Sequence, residues 1–171
     1  AYRRQRQMCK ETGFYQCTNL EKVDLSNANT ENCRYMGRMF EGCSKITSLD
    51  LSALNTTNVA GMSDMFSNCR SLTGLDLSGF KTENVKDMRG MFEGCINLTS
   101  LDLSSFNTRS CTSLAGMFLG CGSLKSLDLS NFNTNKVTYM NQMFQDCGSL
   151  VTLDLSGFNM ENVVSTRYMF D

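Results

Sequence analysis

The sequence predicts an α/β solenoid, right-handed, of about six 26-residue units, with short parallel strands on its concave side and short α or 3₁₀ helices on its convex side. Three observations predict it. The tripeptide Asp-Leu-Ser recurs at Asp24, Asp50, Asp76, Asp102, Asp128 and Asp154, always at an interval of 26 residues. Phenylalanine keeps the same register at Phe14, Phe40, Phe66, Phe92, Phe118, Phe144 and Phe170, with methionine before all but the first. Cysteine does so at Cys17, Cys43, Cys69, Cys95, Cys121 and Cys147.

The strand comes first within a unit. Read from Leu72, the pattern L-x-x-L-x-L places Leu72, Leu75 and Leu77, and the last two alternate with polar residues as one face of a strand does. This is a leucine-rich-repeat-type pattern. The helix is expected next, because Val85, Met88, Met91, Phe92 and Cys95 fall on one helical face. Thr30, Thr56, Thr82, Thr108 and Thr134 stand where N-caps would, and the column Gly42, Asn68, Gly94, Gly120 and Asp146 suits the left-handed backbone that closes a helix. Gly37, Gly90 and Gly116 lower helix propensity inside that stretch. No unit buries its apolar face alone, whereas stacked units cover one another.

The ends are less regular. Residues 1–19 are expected to form a degenerate N-terminal cap, and 20–171 the solenoid, with units starting at 20, 46, 72, 98, 124 and 150. The last unit is incomplete at Asp171, so a continuation of the chain or a partner is expected to cover it. The chain starts at Ala1, which fits a mature form or a fragment.

The phrase LDLSxFNTxxVxxMxxMFxxCxSL, as in Leu127–Leu150, resembles the BspA-like leucine-rich repeat surface proteins of the 26-residue variety, over nearly the whole chain from Phe14 onward. The resemblance implies a curved solenoid within a cell-surface protein that adheres to other macromolecules, with no catalytic residue to carry over. One departure matters. The asparagine of L-x-x-L-x-L-x-x-N is replaced by Ala28, Leu54, Phe80, Phe106, Phe132 and Phe158, so the turn must be satisfied otherwise, with the neighbouring Asn29, Asn55, Asn107, Asn133 and Asn159 as candidates.

Nine cysteines invite a metal or disulfide reading. There is no histidine and no C-x₂-C spacing, which argues against zinc. Column cysteines, with Cys33 and Cys111 in a column that is otherwise valine, are expected to be buried free thiols, since parallel Cβ vectors disfavour bridging. Cys9 is off-register and is expected to be able to bridge within the cap.

The candidate site is a row of carboxylates. In L-D-L the aspartate points away from the buried leucines, so Asp24, Asp50, Asp76, Asp102, Asp128 and Asp154 line up on the concave face. Serine hydroxyls and backbone N–H groups are the ordinary means of solvating such a row. The sharper expectation is an acidic groove for a basic peptide, a glycan or a divalent cation. Tyr35, Tyr139 and Tyr168 on the opposite side are a second candidate contact. The basic run from Tyr2 to Arg6 fits a solvated face of the cap.

Composition narrows the function class. A net charge of -1 gives no pull toward nucleic acid, and no apolar run is long enough for membrane insertion. The absence of histidine, of a phosphate loop and of a nucleophile motif argues against an enzyme, and no cofactor or metal is expected. The expected function is a non-catalytic binding or adhesion module, at the cell surface or extracellular, for a protein or glycan partner. The alternative is a scaffold subunit of a larger assembly, intracellular or organellar, touched through the uncovered C-terminal edge.

Overall fold

A computed structural model describes residues 13–171; residues 1–12, with Cys9 and the basic run, lie outside the described residues. The chain winds in coils, and equivalent residues of successive coils lie over one another. The rings of Phe14, Phe40, Phe66, Phe92, Phe118, Phe144 and Phe170 form one stack, with centroids 5.5–5.9 Å apart and planes within 9° of parallel. Repetition at a fixed interval therefore becomes a column, which is the defining property of a solenoid.

The expected helices do not form: among the described residues there is no α-helix and no 3₁₀ helix. The second half of each unit is a run of tight turns whose N–H groups alternate between two partners. Met65, Ser67 and Cys69 donate within their own coil to the carbonyls of Met62, Asp64 and Phe66, at 3.1–3.3 Å. The residues between them donate to the next coil: Asp64 to Arg89, Phe66 to Met91 and Asn68 to Glu93, at 2.6–2.9 Å. An α-helix is impossible here, because two positions per coil hold the left-handed backbone. They are Arg38, Asp64, Gly90, Gly116, Gln142 and Tyr168 in one column, and Gln16, Gly42, Asn68, Gly94, Gly120 and Asp146 in the other. All but Arg38 are the third residue of a hydrogen-bonded i→i+3 turn, where a type II turn requires positive φ. The inward face was legible nonetheless. Val85, Met88, Met91, Phe92 and Cys95 are fully buried, because turns advancing in steps of three and four also return those positions to the interior.

The threonines are not N-caps. Thr82 Oγ1 donates to the carbonyl of Asn107 at 3.1 Å and accepts its N–H at 2.7 Å, and Thr30, Thr56, Thr108 and Thr134 make the same pair of bonds to the coil above. These hydroxyls are buried and join coils.

The strands are fewer than expected. β1 (Ser126–Leu127) and β2 (Thr152–Leu153) pair in parallel, Ser126 with Thr152 and Leu127 with Leu153. In every unit, those holding β1 and β2 included, the L-D-L stretch runs into a turn in which the aspartate accepts the N–H of the serine two residues on, as Asp76 Oδ1 does with Ser78 N–H at 3.0 Å. The continuous parallel contact lies in the other half of the coil, through bridges joining Tyr35, Gly61, Asp87, Ser113, Tyr139 and Ser165 in succession. No helix among the described residues is long and apolar enough to cross a membrane.

Candidate functional site: a column of oriented carboxylates

The aspartates and serines of D-L-S repeat one local geometry. Oδ1 of Asp24, Asp50, Asp76, Asp102, Asp128 and Asp154 accepts the backbone N–H two residues on, at 2.8–3.0 Å. At Asp50 and Asp76 the same oxygen also accepts the hydroxyl of Ser52 or Ser78, at 2.6 Å. All six side chains are exposed. Hydrogen bonds from the serine hydroxyls hold the carboxyls of Asp24, Asp50 and Asp76 below the usual range, followed by the serine N–H bonds. At Asp102, Asp128 and Asp154 the N–H bond is the larger cause. Repulsion from neighbours in the row opposes this at Asp50, Asp102 and Asp154 without reversing it. The row is thus ionised and directionally fixed at neutral pH. Among the described residues no group of three or more acidic or cysteine side chains is arranged to hold a metal ion.

The next turn is held by side-chain amides. Oδ1 of Asn55, Asn107, Asn133 and Asn159 accepts the N–H two residues on, at 2.8–3.2 Å, and Asn29 does the same for Glu31. Together with the threonine bonds, these satisfy the backbone where the repeat lacks a buried asparagine.

The thiols are buried structural groups. Sγ of Cys43, Cys69, Cys95, Cys121 and Cys147 donates to the carbonyl of the phenylalanine one coil below, at 3.1–3.2 Å. Burial pushes Cys69, Cys111 and Cys121 up to about 12 and Cys43 and Cys147 up to about 11. Among the described residues seven cysteines are free, Cys17 and Cys111 among them. Cys33 is the correction, because it is disulfide-bonded rather than free. The bridge expected of Cys9 falls outside the described residues.

Two features escaped the sequence reading. Glu41, Asp64 and Glu93, from three successive coils, crowd one face beside Arg38, and burial raises all three carboxyls. Oε2 of Glu41 is buried without a hydrogen bond, 3.4 Å from Arg38 Nε, and Asp64 lies 3.6 Å from the same nitrogen. Ser67 stands between Glu41 and Glu93 in their column, and Gly90 follows Asp64 in the other. The second feature is a notch over Gly79, lined by Asp50, Ser52, Asp76 and Ser78. On the opposite side Tyr35, Tyr139 and Tyr168 are exposed, and Arg167 lies 4.5 Å over the Tyr168 ring.

Comparison with known proteins gives one match over most of the chain. The family described as "Mycoplasma protein of unknown function, DUF285" matches residues 7–78 and 72–171. That description differs from the BspA-like type that the repeat signature resembles. No curated protein matches. Among solved structures, the chain is similar to a leucine-rich repeat protein of T. pallidum at 25% identity and a TM-score of 0.48, covering 81% of this chain and 68% of that one. It is similar to the functional domain of InlJ from Listeria monocytogenes, described as including a cysteine ladder, at 22% identity and a TM-score of 0.46, covering 81% of this chain and 25% of that one. A leucine-rich cell surface protein from Faecalibacterium prausnitzii follows at 23% identity and a TM-score of 0.33, with 69% and 41% covered.

Proposed function

From the premise that this chain belongs to the DUF285 family, whose description names no activity, we propose that it is a non-catalytic binding module of a cell-surface or secreted protein. Its partner is a protein with a basic surface, met by the row from Asp24 to Asp154. The observation that carries this reading is the column of exposed carboxylates, each oriented by a serine N–H and kept ionised. A rigid series of like charges raises the local concentration of polycations and speeds encounter with them. Placement outside the cytosol is supported by the disulfide at Cys33, since such bonds persist in oxidising compartments.

The test uses immobilised poly-L-lysine as a generic basic partner. The intact chain is expected to bind at low salt and to release as salt screens the row. Replacing Asp76, Asp102 and Asp128 together by asparagine is expected to weaken retention at least tenfold, on the order of 1.4 kcal/mol. Unchanged retention contradicts the proposal, and retention on a neutral glycan matrix instead assigns a different partner.

A further inference from the structure

One column of the coil carries a side-chain donor in some units and none in others, and the filled ones show what an empty one takes. The column reads Asn27, Ala53, Gly79, Ser105, Asn131 and Gly157. Asn131 Nδ2 donates down to the carbonyls of Leu103 at 2.9 Å and Phe106 at 2.8 Å, with Ser104 at 3.5 Å. Ser105 Oγ donates to the carbonyl of Leu77 at 3.0 Å. Gly79 brings no donor, and a Cβ built on it meets nothing within 4 Å. The counterpart of the Leu77 and Leu103 carbonyls is then that of Leu51, which among the described residues accepts only the N–H of Leu54 within its own turn.

The space left open is a cavity of about 200 Å³, lined by Leu49, Asp50, Leu51, Ser52, Asp76, Ser78, Gly79 and Phe80. That is several times the roughly 30 Å³ of a water molecule in the liquid. Oδ1 of Asp50 and of Asp76 is taken by its serine, and no hydrogen bond among the described residues reaches either Oδ2. The notch thus offers acceptors and negative charge, and its serine hydroxyls already donate to Oδ1. The cavity beside Gly157 differs, because no aspartate lines it.

We propose that the notch over Gly79 is a lysine-reading subsite, in which a side-chain ammonium of the protein partner occupies the place that the Asn131 amide fills two coils further on. An ammonium carries three donors and no acceptor, matching a carbonyl flanked by carboxylates. A sugar hydroxyl has one donor and brings its own lone pairs against these oxygens, so it fits worse. The subsite rests on the binding function proposed above and specifies which group of the partner it reads.

The experiment is an amide chemical-shift titration of the whole chain with the terminally blocked peptide acetyl-Gly-Gly-Lys-Gly-Gly-amide and with its Nε-acetylated form. The lysine peptide is expected to move the amides of Ser52, Ser78, Gly79 and Phe80. Acetylation, which removes the charge and two donors, is expected to weaken the response at least about tenfold. Gly79→Asn fills the notch from within, as Asn131 does, and leaves every carboxylate in place. Gly79 is not among the positive-φ residues, so asparagine fits its backbone. That variant is expected to keep the wild-type spectrum elsewhere and to lose the response. Equal shifts from the acetylated peptide, an undiminished response in Gly79→Asn, or no movement of these amides overturns the subsite. Failure here with poly-L-lysine retention still dependent on the aspartates removes the subsite alone, and loss of both removes the binding function.

Discussion

The Thr82 hydroxyl grips both backbone groups of Asn107, donating to its carbonyl at 3.1 Å and accepting its N–H at 2.7 Å. Thr82 itself is almost wholly buried, and Asn107 is half-buried. Thr82→Val keeps shape and removes both bonds. It is expected to destabilise by about 1–3 kcal/mol, the usual cost of a polar group that loses its partner on partial burial. Thr82→Ser restores the hydroxyl and is expected to recover most of that loss. Urea denaturation of the two variants checks both statements.

The positive-φ columns predict an asymmetry between residues that look interchangeable. Gly94→Ala forces a left-handed alanine (φ +67°) whose Cβ falls 2.6 Å from Asn68 Oδ1. A loss above about 1 kcal/mol is expected. Asn68→Gly, in the same column at φ 57°, is expected to be neutral within about 0.5 kcal/mol. Thermal melts of both proteins decide it.

Stability is expected to peak under mildly acidic conditions. Glu41, Asp64 and Glu93 have raised folded-state values, so ionisation at neutral pH costs stability, and acidification toward their unfolded values of about 4 relieves it. The aspartate row has lowered values, so its contribution is present above about pH 4 and lost as pH falls through the folded-state values. Melting temperature is therefore expected to rise as pH falls from neutral through the raised carboxyls, and to fall once the lowered carboxyls of the row protonate. Glu93→Gln, which leaves one fewer charge in the buried group, is expected to flatten the rise.

Native thiol labelling is expected to be slow. Cys69, Cys95, Cys111 and Cys121 are buried, with little thiolate at ordinary pH. Alkylation followed by mass analysis is expected to modify the buried Cys43, Cys69, Cys95, Cys111 and Cys121 only after denaturation, and Cys33 only after reduction. Cys33 labelling without reductant contradicts the disulfide.

The sequence carried the stacking and the inward face almost completely, because both follow from an interval that never varies. Phe92 over Phe66 and Cys95 over Cys69 could be read from position alone. Conformation was less legible. Val85, Met88, Met91 and Phe92 satisfy a helix and a train of turns equally well, and the deciding residues, Asp64 and Asn68, are types that merely tolerate positive φ. The carboxylate row was legible because alternation around L-D-L fixes its direction. The Gly79 notch was not, because it is defined by a missing side chain in one coil and the Asn131 amide in another.

The coils are joined by backbone N–H groups that alternate between their own turn and the coil above. Hydrogen-bond scalar couplings in a deuterated sample measure this directly. Coupling is predicted from the amide of Phe66 to the carbonyl of Met91, and from that of Ser67 to the carbonyl of Asp64. Coupling from Phe66 to the carbonyl of Met62, four residues back as in an α-helix, would contradict it.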